Sequence, residues 1–246
     1  MRRMSDLQTL CALGQQKLME MEYLEAEALL AEAEHEAWVG RDFDSLSRLY
    51  MPLQEARRQR RQRCGEGIVR LDLIADGPDD RMEARHVAEN FPHGQLLVAG
   101  WKSIRPAAEL RALQKLHGLY LETFLAAAYP VGERRAVVIV PLEDVSLPEE
   151  DPASIDELLA GLPAHCIVFS DSELPQGPRR GDTGTFAEIM ALWERLHLPF
   201  LAGADMMVDP MQKMEGYRKT IRVDYACELA HQKLSDVAKE MARKAS

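Results

Sequence analysis

Residues 119–142 read LYLETFLAAAYPVGERRAVVIVPL, and this stretch decides the fold class. It holds two apolar runs, 119–128 and 135–142, whose composition favours β-strands. Only the six residues 129–134, which include a proline and a glycine, join the two runs. Because parallel strands need a crossover of a dozen or more residues, the two runs are predicted to form an antiparallel hairpin.

Outward from this hairpin, the sequence alternates apolar runs of strand length with helical segments. The further strands are predicted at 68–75 (IVRLDLIA), 95–100 (QLLVAG) and 165–170 (HCIVFS). Helices are predicted near 79–90, 106–117, 154–161 and 184–197. Continuous apolar runs indicate a sheet that is covered on both faces. We therefore predict an α/β fold with a mixed, mostly parallel sheet of about five strands flanked by helices, and a C-terminal helix or helix pair at 210–244.

The first 64 residues are predicted to be helical. Apolar residues recur at helical spacing in three stripes: Leu7–Leu10–Gly14–Leu18–Met21, Tyr23–Ala26–Leu30–Ala33–Ala37 and Phe43–Leu46–Tyr50–Leu53. We expect Tyr23, Leu30 and Tyr50 to be buried. Two glycines at 65 and 67 mark the boundary, so the predicted domains are a helical interaction segment, 1–64, and an α/β domain, 65–246.

Within the first two stripes, Gly14, Ala26, Leu30 and Ala33 occupy the small and large packing positions of one helical hairpin of about 34 residues. In this respect residues 7–40 resemble a tetratricopeptide repeat, although the usual Trp and Tyr of its first helix are absent. The resemblance implies helix-on-helix packing and a protein contact, and it implies no chemistry.

Charge and composition exclude several classes of function. The net charge is −10, of which residues 65–246 carry −9, and an acidic domain repels the phosphates of nucleic acids. No apolar run is long enough to span a bilayer, and no cleavage site follows the N-terminal arginines. The four cysteines lie far apart, which is typical of free thiols rather than of a zinc site. We expect a cytoplasmic protein that binds neither nucleic acid nor membrane.

Candidate catalytic residues follow the predicted strands, because ligands bind beyond the carboxyl ends of parallel strands in open α/β sheets. Asp76 follows the first strand and Lys102 the second, and three more polar residues are Asp144, Asp171 and Glu173. Carboxylates and a lysine at one edge could perform acid–base chemistry or hold a divalent metal. The alternative is that these loops are simply polar. No motif of a known cofactor or metal site is present.

The loop at 175–185, PQGPRRGDTGT, is the most distinctive segment. Arg179 and Arg180 could bind a phosphate or carboxylate, and backbone amides near a helix start attract anions. The predicted ligand-binding residues are Arg179, Arg180, Gly181, Thr183 and Thr185. The alternative is a surface loop with an N-capping residue at 182 or 183.

The arginine-rich run Arg57–Arg63 (RRQRRQR) allows two interpretations. It is either a solvated helix end, favoured by the helix dipole, or a docking site for an acidic partner or a second copy of the chain. The seven histidines show no ligand spacing, and each is interpreted as a surface residue or a hydrogen-bonded core residue.

Two functions remain open at this point. The first is a non-catalytic ligand- or partner-binding protein that uses its helical segment for protein contact or homo-oligomer formation. The second is an enzyme that acts on a small anionic substrate at the carboxyl edge of the sheet. The absence of catalytic motifs favours the first.

Overall fold

The structure is a computed structural model that describes the backbone of residues 2–245 and the side chains of residues 6–244. The described residues form nine α-helices, a short 3-10 helix at Asp171–Glu173 and a six-stranded sheet. The helices are α1 (Arg2–Met19), α2 (Tyr23–Gly40), α3 (Phe43–Gly65), α4 (Ala84–Asn90), α5 (Arg105–His117), α6 (Ile155–Gly161), α7 (Thr183–Asp205), α8 (Pro210–Val223) and α9 (Glu228–Ala245). The strands are β1 (Ile68–Ile74), β2 (Gly94–Trp101), β3 (Leu121–Val131), β4 (Arg134–Val140), β5 (Ile167–Ser170) and β6 (Arg179–Arg180).

The chain divides into two compact units, and this division differs from the predicted one. The helical unit comprises residues 1–61 and 197–246, and the sheet unit comprises residues 62–196. We had assigned the C-terminal helices to the α/β domain. Instead, the apolar stripes of α8 and α9 pack with those of α1, α2 and α3 in one core, because each of these helices needs a partner for its apolar face.

The predicted stripes of the helical unit are confirmed except at the end of the first, where Met21 lies in the turn after α1 and is 64% exposed. Tyr23, Leu30 and Tyr50 are all buried, with exposed fractions of 8%, 0% and 1%. Gly14 lies where α1 crosses α2, and a Cβ at this position would come within 2.7 Å of the Leu30 side chain. Asp42 caps α3, since its side chain accepts a hydrogen bond from the Ser45 amide at 3.0 Å.

The sheet has the strand order β5-β4-β3-β2-β1-β6. The predicted hairpin is confirmed, because β3 and β4 are antiparallel and joined by a tight turn in which Gly132 has a φ of +61°. β1, β2 and β3 are parallel, whereas β3–β4, β4–β5 and β1–β6 are antiparallel. The α/β class and the mixed sheet are thus confirmed, whereas the described sheet has six strands rather than about five, and three of its five strand pairs are antiparallel. The sixth strand is a two-residue segment inside the 175–185 loop, too short to show any apolar pattern.

Helices cover both faces of the sheet. α4, α5 and α6 contribute to one core with the odd-numbered residues of β3, such as Leu121 and Leu125. On the opposite face, Trp193 of α7 stacks on Phe124 with ring centroids 4.3 Å apart. This arrangement buries both faces of the central strands, which explains their continuous apolar sequences. No helix in the described part of the chain is both long and apolar enough to cross a membrane.

Candidate functional site

The strand directions decide which predicted site residues share an edge of the sheet. β1, β2, β3 and β5 all run the same way, so the residues after them, including Asp76, Lys102, Asp171 and Glu173, lie towards one edge, the carboxyl edge. β4 runs in the opposite direction, and Asp144 follows it at the amino edge. Asp144 and Asp171 thus follow opposite ends of the paired strands β4 and β5. A catalytic role for either carboxylate stays a prediction.

At the carboxyl edge, Arg135 brings two of the expected carboxylates together. Its Nε donates to Asp171 Oδ2 at 3.0 Å, and its Nη1 bonds both Asp76 and the carbonyl oxygen of Ala75. Arg135 lies at the start of β4, and no feature of the sequence other than this position at a strand end indicates its role. Asp171 and Asp76 are thus counter-ions of one arginine.

Lys102 and Glu173 also have structural partners. Lys102, in the left-handed region with a φ of 49°, donates from Nζ to the Glu149 carbonyl oxygen at 2.6 Å and pairs with Asp151 at 2.8 Å. Glu173 accepts a hydrogen bond from the Ser170 amide at 2.6 Å and thereby caps the 3-10 helix. Both side chains therefore hold loops, which matches the alternative that these strand ends are simply polar.

The arginine pair of the 175–185 loop lies at the amino edge of the sheet, whereas an anion site in the usual crevice would lie at the carboxyl edge. Arg179 and Arg180 form β6 and pair with Val69 and Ile68, at the start of β1, so they lie at the amino edge. Arg179 forms an ion pair with Glu188 at 2.8 Å, and Arg180 is exposed. The usual crevice of an α/β sheet is at the opposite, carboxyl edge.

The backbone amides predicted to bind an anion are used inside the chain. The Gly181 amide donates to the Gly67 carbonyl oxygen at 2.8 Å, and a Cβ on Gly181 would lie 2.0 Å from the Gly65 carbonyl oxygen. The Thr185 amide donates to Asp182 at 2.8 Å, which lowers the pKa of that carboxyl. Thr183 begins α7. The glycine thus permits close packing of two backbone segments, and Asp182 is the predicted N-cap; anion binding by this loop stays a prediction.

A pocket of about 430 Å³ lies beside β5, the outermost strand on one side of the described sheet, and is lined by α6, β4 and β5. Most of its wall is apolar, and the charged residues of its lining lie towards the carboxyl edge. The lining residues are Val131, Arg134, Arg135, Ala136, Ile155, Leu159, Cys166, Val168, Phe169, Ser170 and Glu173. Its volume falls within the range of about 300–1,000 Å³ that is typical of ligand pockets.

The walls of this pocket leave apolar surface in contact with water. Ile155 and Leu159, one helical turn apart on α6, are 42% and 51% exposed. The Cys166 thiol adds no charge, because burial raises its pKa to about 11 and it stays protonated at neutral pH. Arg134 is exposed at the rim of the pocket. We name this feature, formed by α6, β4 and β5, the α6–β5 pocket.

The arginine-rich run is not a solvated helix end, and most of it is not available for docking. In the helical unit, Arg57 and Arg60 both pair with Glu27, at 3.1 and 2.7 Å. Burial alone would raise the pKa of the Glu27 carboxyl, but these two arginines outweigh it and lower that pKa. Arg61 is 3% exposed and pairs with the buried Asp224 at 2.7 Å. The Arg58 and Arg63 side chains are 41% and 48% exposed, and each pairs with a glutamate three residues away in the sequence.

Two histidines, His197 partly buried and His231 fully buried, adjoin this network of charges in the helical unit. His197 Nδ1 lies 2.7 Å from Asp224 Oδ2. Burial lowers the pKa of His197, but hydrogen bonds to Asp224 and Cys227 outweigh it and raise that pKa to about 9. His231 is buried beside Arg57, and burial together with that positive charge lowers its pKa to about 3. The two rings therefore carry different charges at neutral pH, His197 positive and His231 neutral.

Comparison with known proteins provides no relative: no protein-family model matches this sequence, and no similar curated protein or solved structure was found. The resemblance of residues 7–40 to a tetratricopeptide repeat therefore stays a prediction. Among the described residues, no group of three or more His, Cys, Asp or Glu side chains is arranged to hold a metal ion.

Proposed function

We propose that this chain is a non-catalytic binding protein, and that the α6–β5 pocket is its binding site. The observation that supports this proposal is the pocket itself, with about 430 Å³ of mostly apolar volume beside exposed Ile155 and Leu159. Exposed apolar side chains around a concave site mark surfaces that bind an apolar group of a ligand or partner.

The charged residues near the pocket favour binding over catalysis. A general acid or base must reach its substrate with an available proton or lone pair. Asp171 is paired with Arg135, and Glu173 accepts the Ser170 amide. The Cys166 thiol, with a pKa of about 11, is a poor nucleophile at neutral pH. These groups shape and support the pocket.

On this proposal, the helical unit supplies a second contact surface. Its α1–α2 turn carries two exposed methionines, Met19 and Met21, with exposed fractions of 79% and 64%. Flexible methionine side chains suit adaptable protein contacts.

A screen of small apolar fragments by ligand-observed NMR tests the proposal. Val168→Phe places a larger side chain in the pocket wall, and we expect it to weaken fragment binding by about tenfold or more, since losing a buried apolar group costs about 1.5–3 kcal/mol. The matched control is Val39→Phe in the helical unit, where Val39 is 64% exposed.

Circular dichroism establishes that both variants are folded before binding is compared. Fragments that bind the parent and the Val39→Phe chain, but not the Val168→Phe chain, support the proposal. An absence of fragment binding to the parent, or equal binding to all three chains, contradicts it.

A further inference from the structure

We infer that β5 accepts an extended peptide from another protein as an additional antiparallel strand, with one apolar side chain of that peptide entering the α6–β5 pocket. This inference rests on the proposed function, because it names the class of partner for the same pocket. It adds a requirement that the pocket alone does not impose, namely hydrogen bonds to the main chain of β5.

The first argument concerns the sequence of β5 as an edge strand. β5 is the last strand on its side of the described sheet, and Ile167–Ser170 (IVFS) contains no charged residue and no proline. Edge strands are usually protected by charged side chains, proline or a covering element. β6, the edge strand on the other side of the sheet, follows this rule, because it consists of two arginines. β5 therefore lacks the charged side chains that protect β6.

The second argument concerns the direction of the main-chain groups. In an antiparallel ladder, alternate residues direct both N–H and C=O either towards the paired strand or away from it. The Ser170 amide donates to the Glu173 side chain, so Ser170 faces away from β4. Val168 lies two residues earlier in the same register and therefore also directs its N–H and C=O away from β4.

The main-chain N–H and C=O groups that β5 still offers favour an antiparallel added strand. The outward amide of Ser170 is already used by Glu173, which leaves Val168 as the residue of β5 that can offer both groups. A single residue exchanges both hydrogen bonds with a single opposing residue only in an antiparallel pair. The added strand would thus be fixed by one such pair at Val168.

The third argument connects this pair to the pocket. Residues directly opposite each other in an antiparallel pair project to the same face of the sheet. The Val168 side chain lines the α6–β5 pocket, so the peptide residue opposite it would direct its side chain towards Ile155 and Leu159 of α6. Main-chain bonds would provide attachment, and the pocket would select an apolar residue at that one position.

A partner from another protein is favoured over a second copy of this chain. The chain has a net charge of −10, and two copies repel each other when they approach. An apolar or basic peptide meets no such repulsion.

The test starts from short random peptides displayed on phage and selected on the full chain. Selected peptides are then measured by fluorescence polarisation against two variants at one position. Val168→Pro removes the outward N–H without removing a bond to β4, and proline is tolerated in an edge strand when its missing N–H faced solvent. Val168→Ala is the matched control, because it shortens the side chain but keeps the N–H.

We expect Val168→Pro to weaken peptide binding by about tenfold or more, through the lost bond and the clash of its ring, and Val168→Ala to weaken it less. Fragment binding to the parent chain is measured separately. A parent chain that binds fragments but no peptide contradicts this inference alone, whereas a parent chain that binds no fragment contradicts the proposed function. A second measurement needs no variant: on addition of peptide, the Val168 amide of the parent chain should become protected from hydrogen exchange.

Several outcomes overturn the inference. They are selection of no peptide, equal binding by the parent and the proline variant, or an amide at Val168 that stays unprotected in the complex. Sedimentation of the free chain as a dimer that Val168→Pro dissociates would also overturn it, since β5 would then pair with a second copy.

Discussion

Raising the pH from 6.5 to 9 should destabilise the helical unit, because His197 loses its proton over this interval. The ring lies 2.7 Å from Asp224, whose other carboxylate oxygen pairs with Arg61. Burial lowers the pKa of His197, but its hydrogen bonds to Asp224 and Cys227 outweigh burial and raise the pKa to about 9, from 6.5 in the unfolded chain.

The sign follows from proton linkage. A histidine whose pKa is higher in the folded state binds its proton more tightly there, so it stabilises the fold fully below pH 6.5 and loses this contribution as the pH rises through 9. The difference between a pKa of about 9 and one of 6.5 corresponds to about 3 kcal/mol. The ring keeps some solvent exposure, and screening reduces the expected loss to about 2 kcal/mol.

Urea unfolding at pH 6.5 and at pH 9 measures this loss. Pulse labelling with deuterium at one fixed pH, read on peptides from α8 and α9, gives the unfolded fraction of the helical unit separately from the sheet unit. The control is His197→Gln, which should be less stable than the parent at pH 6.5 and should show little change between the two pH values. A parent chain that is equally stable at both, or a glutamine variant that loses as much stability as the parent, would refute the role assigned to His197.

Two further substitutions test the packing of the helical unit. Arg61→Met should destabilise it by about 3 kcal/mol, because it removes one of the two cations, Arg61 and His197, that pair with the buried Asp224. Arg58→Met, at a position with a 41% exposed side chain, should change stability by less than about 0.5 kcal/mol. Urea unfolding compares the two variants, and equal effects would contradict the buried ion pair. Gly14→Val should lower the free energy of unfolding by about 1–3 kcal/mol, because the added side chain clashes with Leu30. The control Gly40→Val should lower it less, since no atom lies within 4 Å of the added Cβ. A smaller loss of stability at Gly14 than at Gly40 would refute the close helix crossing.

The helices and strands could be predicted from the sequence, whereas the buried ion pairs between them could not. Apolar periodicity located the helices and the β3–β4 hairpin, since burial of apolar side chains determines both. The same reasoning fails for the arginine-rich run, because no apolar stripe continues through Arg57–Arg63 although Arg61 is buried. Arg61 is buried because Asp224 compensates its charge, and a partner so far away in the sequence leaves no local pattern. Buried ion pairs of this kind are visible only after folding.

The strand directions separate the candidate site residues. Asp144 and Arg179 lie at the amino ends of the parallel strands, whereas Asp171 lies at their carboxyl ends, because β4 and β6 are antiparallel to their neighbours. The hairpin itself was predicted, and following its direction to the end of β4 would have moved Asp144 to the correct edge. The α6–β5 pocket was missed because two apolar residues one turn apart on a short helix are equally typical of a core.

The topology also explains why binding is expected at β5 rather than at the usual place. In open α/β sheets the binding crevice forms where successive crossover helices lie on opposite faces, so that two neighbouring loops separate at the carboxyl edge. Here the crossovers β1–α4–β2 and β2–α5–β3 place both helices on the same face, as their shared core shows. The parallel strands therefore contain no such switch point, and Arg135 joins the loops after β1 and β5 through Asp76 and Asp171. The α6–β5 pocket lies beside β5, the last strand on its side of the described sheet, and this is where we place the binding site.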